Sequence, residues 1–146
     1  ISLQNSYTLD FKDTKLYEQR SKLKDNLKYI FKSNKFDFIF THSGSDLHQD
    51  HRLISEITLE LFRGPNIIAY EIPKFDGNPF RPNLYFGLNQ QLAQKKVNHL
   101  MKHYKSQHDK IWYNSSTFEA TMVLRGVEAS KIFAEGFEVV KHIIEE

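Results

Sequence analysis

Three of the chain's seven histidines, His42, His48 and His51, fall within the stretch THSGSDLHQDHR (41–52), beside Asp46 and Asp50. Neutral imidazole is a common zinc ligand, and a carboxylate on its other ring nitrogen often orients it. His48, Asp50 and His51 therefore supply the types needed for metal binding and acid–base work. One histidine could hold a metal, another could act as acid or electrostatic stabiliser, and Asp50 could fix a tautomer. The same residues also suit a polar helix N-terminus with solvent-exposed histidines. A catalytic zinc asks for three protein ligands plus water, more than this loop provides.

The elements that must position these residues can be read from apolar spacing. FDFIFT (36–41) is a nearly continuous apolar run, expected to be an internal, buried parallel strand. A helix follows from about His51 to Phe62, burying Ile54, Ile57 and Leu61, and Gly64-Pro65 stops it. NIIAYEI (66–72) is the next strand. Strand–loop–helix–strand is the form of a parallel βαβ unit. The His/Asp loop then lies at the carboxyl edge of a strand, where open α/β sheets bind ligands.

Upstream, ISLQNSYTLDF (1–11) alternates like a strand. Asp13 is a candidate N-cap for a helix reaching about Ser33, with Leu16, Leu23, Leu27, Ile30 and Phe31 near one face. Downstream, 73–83 holds three of the four prolines and reads as a loop. Leu84–Phe86 suggests a short strand and Leu88–Tyr104 a helix, broken by KSQHD. A further helix spans 116 to about 134, with Gly126 costing about 1 kcal/mol relative to Ala. GFEVVKHII (136–144) closes the chain as a strand. The expected fold class is α/β: one three-layer, Rossmann-like domain over 1–146 with a largely parallel sheet.

With 146 residues, 40% of them hydrophobic, the chain can bury a core. A net charge of +2 gives no strong field toward nucleic acid, so none is expected as a partner. Cysteine is absent, which excludes disulfides and thiolate metal sites and suits a reducing, cytoplasmic compartment. No apolar stretch approaches the roughly 20 residues of a membrane span.

FDFIFTHSGSDLHQDHR resembles the second signature of the PIG-L/LmbE-like metal-dependent N-deacetylases: an apolar strand, Thr-His, an Asp, then His-x-Asp-His at a helix start. FRPNLYFGLNQQLAQKKVNHLMKHYKSQ (80–107) is similar to that family's Pro-Asn-x-Tyr/Phe strand, Lys-bearing helix and Ser-Gln ending. LRGVEASKIFAEGFEVVK (124–141) resembles its closing Arg-Gly…Ala-Glu-x-Phe segment. The resemblance implies the C-terminal portion of the LmbE-like fold. It implies a zinc or other divalent cation, with His51 as metal ligand. His48 resembles the residue that stabilises the tetrahedral intermediate or protonates the leaving amine, and Asp50 the carboxylate supporting it. Arg81, Gln107 and Arg125 lie in the resembling segments and are expected substrate contacts; salt bridges and capping are the plainer alternative.

The implied activity is hydrolysis of an N-acetyl group from an N-acetylglucosamine-type sugar or conjugate. The expected partners are that substrate and other copies of the chain in a homo-oligomer. One departure bears on all of this. The family's His-Pro-Asp-Asp-Glu-like run, source of two metal ligands and the general base, is absent, and the nearest paired acid is Glu145-Glu146. The chain is therefore expected to be an N-terminally incomplete domain, inactive alone. The alternative is a non-catalytic α/β binding or structural module. His99, His103 and His142 fall in no constellation.

Overall fold

The structure, a computed structural model, describes residues 6–32, 35–75 and 79–144. Expectations for 1–5, for the Ser33-Asn34 helix stop, for 76–78 of the proline-rich loop and for Glu145-Glu146 lie outside these residues. Four α-helices are described, α1 (Arg20–Phe31), α2 (Gln49–Leu61), α3 (Gln90–His103) and α4 (Ser115–Glu128). The four described strands are β1 (Phe38–His42), β2 (Asn66–Tyr70), β3 (Leu84–Leu88) and β4 (Phe133–Lys141). Residues 6–12 form no strand. Asp13 caps no helix either: α1 begins after a 3-10 turn at Tyr17–Gln19.

The strands pair in the order β1-β2-β4-β3. The α/β class stands, but the sheet is mixed rather than largely parallel: β1 and β2 are parallel, while β4 is antiparallel to both β2 and β3. The connection explains this. A single crossover helix reverses the chain once and returns a parallel strand. Between β3 and β4 the chain reverses through two helices, α3 and α4, so β4 runs back along β3.

The strand expected to be internal, β1, instead ends the described sheet. Ile39 and Thr41 face α2, where Thr41 Oγ1 lies 3.2 Å from Thr58 Oγ1. Phe38 and Phe40, on the opposite face, are 54% and 59% exposed. The apolar run predicted cover on both faces, and among the described residues only one has it.

Two apolar clusters clamp the helices. Leu23 of α1 packs with Leu53 and Ile57 of α2. Ala93 and Val97 of α3 pack with Tyr113, Phe118 and Met122 of α4 and its approach. Helix α4 stops at Glu128, earlier than its apolar spacing suggests. Ser130 adopts φ 55°, and Lys131 N–H returns to the Gly126 carbonyl at 2.8 Å, a left-handed helix ending.

Gly126 is thus more than a weak helix former. A Cβ there would lie 2.6 Å from Ile132 O and 2.7 Å from Lys131 O. Gly126→Ala should therefore destabilise the fold by about 1–3 kcal/mol despite alanine's better propensity, measurable by chemical denaturation.

Candidate functional site

The site is built where β1 ends and α2 begins. The chain leaves His42, turns through Ser43–Asp46 with Asp46 N–H donating to Ser43 O, and enters α2 after His48. Ser43 Oγ also donates to Glu138 of β4 at 2.9 Å, which ties the turn to the sheet.

Asp46 is the hub. Its carboxylate accepts from the His48 backbone N–H (2.7 Å), from Lys74 Nζ (2.6 Å) and from His51 Nδ1 (2.8 Å). Burial alone would push this carboxyl up. The hydrogen bonds from Lys74, His51 and the His48 amide outweigh it and hold the group below its ordinary value, so it is ionised at neutral pH.

The two helix-start histidines are fixed in opposite tautomers. A carboxylate only accepts, so His51 Nδ1 carries a proton, and in the neutral ring Nε2 is left with a free lone pair. The His48 ring caps α2: its Nδ1 accepts the Asp50 N–H at 3.3 Å. A backbone amide only donates, so neutral His48 carries its proton on Nε2. Both rings line a cavity of about 1120 Å³, their centroids 4.6 Å apart. One therefore offers an acceptor nitrogen and the other a donor.

His42 lies flat on His51, centroids 4.0 Å apart and planes 5° from parallel. Burial, then the neighbouring His51, pushes its pKa down to about 4, so it backs His51 as a neutral ring. Its Nδ1 is buried with no hydrogen-bond partner among the described residues, as is Asp50 Oδ1.

Asp50 goes elsewhere than expected. Its Oδ2 accepts from Thr14 N–H at 2.7 Å, and its carboxylate makes no hydrogen bond to the His48 ring. Thr14 sits at φ 64°, a strained position for a β-branched residue, and its carbonyl accepts from Gln49 Nε2 at 2.5 Å. The start of α2 thus grips the turn before α1.

One ring of the site, His51, has the hydrogen-bonding environment of a metal ligand. A carboxylate on Nδ1 with Nε2 free is the arrangement of a metal-bound histidine. Among the described residues, however, no group of three His, Asp or Glu is placed to hold a metal.

The expected substrate contacts diverge. Gln107 lines the cavity; Arg81 is exposed and does not. Arg125 borders it, but its guanidinium is engaged by Glu71 through two hydrogen bonds of 2.8 and 2.6 Å, and by Glu128 at 2.7 Å. Those carboxylates raise its pKa further, against the effect of burial. Arg125 therefore ties α4 to the end of β2. Arg125→Ala should cost about 3–5 kcal/mol of stability, read as a lowered denaturation midpoint, because it removes one partner of a buried pair.

Residues 1–62 match the family described as PIG-L: GlcNAc-PI de-N-acetylase, and the resemblance read from the sequence is upheld over that segment. It spans α1, β1, the site loop and α2. No curated protein matches the sequence. Among solved structures, the chain is similar to GalB, the 4-carboxy-2-hydroxymuconate hydratase from Pseudomonas putida. Their TM-score is 0.65 at 17% identity, over 86% of this chain and 61% of that one. A conserved protein from Thermus thermophilus gives 0.61 at 18% identity, over 93% of this chain and 66% of the other. At such identities the likeness is one of fold, and the chain spans less than two thirds of either structure.

Proposed function

From a chain whose residues 1–62 match the PIG-L family, we propose one half of a metal-dependent de-N-acetylase site, acting on an N-acetylglucosamine-type sugar or conjugate. The observation that carries this is the 2.8 Å hydrogen bond from His51, which ends the family-like His-x-Asp-His stretch, to Asp46 just before it. It orients one imidazole as a metal ligand while His48, one turn before it, faces the same cavity as a donor.

His51 would hold the cation through Nε2. When bound, a divalent cation polarises an acyl carbonyl and acidifies water. The chain's own residues supply the rest. Asp46 holds His51 in its ligating tautomer. The Asp50 amide holds the neutral His48 ring with its Nε2–H available as a hydrogen-bond donor to the developing oxyanion. The general base and the remaining ligands are not among these residues.

The single ligand favours one other reading, a non-catalytic module of the same fold. An activity assay separates the two. The 146-residue chain with zinc should not deacetylate an N-acetylglucosamine conjugate. Supplying a polypeptide that carries the family's acidic run should give turnover that a chelator abolishes and zinc restores. Chelator-resistant turnover would contradict the metal-dependent reading, and no turnover under any condition would favour the module.

A further inference from the structure

Helix α3 carries a second pair of histidines, well apart in sequence from the site loop. His99 and His103 are one turn apart, both exposed, with ring centroids 4.3 Å apart and planes at 41°. The structure records no hydrogen bond from either ring to a described residue, so their nitrogens are uncommitted. The opposite side of α3 is anchored: Ala93 and Val97 are buried against α4, with Leu100 and Met101 packed beside them. The backbone beneath the two rings is therefore fixed, while exposure leaves their side-chain torsions free to turn.

We propose that His99 and His103 form a surface chelate for a nitrogen-preferring divalent transition-metal ion of the Zn²⁺, Ni²⁺ or Cu²⁺ class. Imidazole nitrogens bind such ions at about 2.0–2.1 Å. Two ring nitrogens on successive turns can meet one ion by side-chain rotation alone, with water completing its coordination. Once the first imidazole is bound, the second is held at high effective concentration by the helix. Lys95 and Lys102 on the same helix disfavour cations that depend on charge alone, such as Mg²⁺ and Ca²⁺, and leave those that gain most from nitrogen ligands. This site is independent of the proposed hydrolysis, and substitution here should leave any such activity unchanged.

The test is calorimetric titration of the whole chain with Ni²⁺, beside His99→Gln, His103→Gln and the double variant. Glutamine at exposed helix positions keeps good helix propensity, so the fold is retained. The histidines of the site loop can also take up Ni²⁺, so the readout is a difference in stoichiometry. The double variant should bind one equivalent fewer than wild type. Each single variant should weaken that equivalent by about tenfold or more, since one imidazole alone loses the chelate. Equal stoichiometry in wild type and double variant overturns the proposal. So do single variants that bind as well as wild type, which would show two rings acting separately.

Discussion

His51→Ala is expected to remove both bound metal and turnover from any deacetylating assembly that contains this chain, whereas His48→Ala should keep the metal and lose rate. The contrast follows from the opposite tautomers. His51 presents a lone pair, with its other nitrogen held by Asp46 at 2.8 Å; without that ring the cation and its Lewis acidity go together. His48 presents an N–H, its Nδ1 being occupied by the Asp50 amide. A donor aimed at charge that develops only in the transition state affects kcat more than KM. The fall in kcat for His48→Ala should be on the order of 10²-fold or more, with little change in KM. Metal analysis alongside steady-state kinetics on an N-acetylated sugar reads both. The metal count is cleanest in the His99→Gln/His103→Gln background, where a surface chelate adds nothing.

Asp46→Asn should produce the next largest effect, although Asp46 contacts no expected substrate. The change leaves an amide of similar size. It removes the charge that accepts from His51, Lys74 and the His48 amide. Loss of a carboxylate behind a ligating histidine typically lowers metal affinity about 10–100-fold. The Lys74–Asp46 pair is buried, with side chains 8% and 5% exposed, and breaking such a pair costs about 3–5 kcal/mol. Asp46→Asn should therefore lower both the metal-binding isotherm and the denaturation midpoint. Asp50→Asn, which alters a contact to Thr14, should leave the His51–metal interaction nearly intact.

The site loop was legible because its chemistry is local. His48, Asp50 and His51 share one helix start, and the apolar runs on either side fixed a strand before it and a helix after. Asp46 stood in the same stretch, five residues before His51, but sequence alone could not choose between two carboxylates; the turn at Ser43–Asp46 decides which one reaches the ring. Lys74 and Glu138 gave no signal at all, since they reach the loop from 28 and 95 residues away. Arg125 fell in a family-like segment, and its sequence left a substrate contact and a salt bridge both open. Its partner Glu71, 54 residues distant, turns it into a structural tie. The direction of β4 was likewise hidden, because strand periodicity is the same whichever way the chain runs. His99 and His103 fall in no constellation by sequence, because their pairing depends on both rings lying on the exposed side of α3.

The most direct test of the account is the tautomeric state of the two helix-start histidines, read by long-range ¹H–¹⁵N correlation of ring-labelled protein at about pH 8.5, where unperturbed imidazole is neutral. His51 should be protonated on Nδ1 and His48 on Nε2, and Asp46→Asn should disturb the first and spare the second. Finding both rings in the same tautomer, or His51 with its proton on Nε2, would contradict the division of labour between a ligand and a donor.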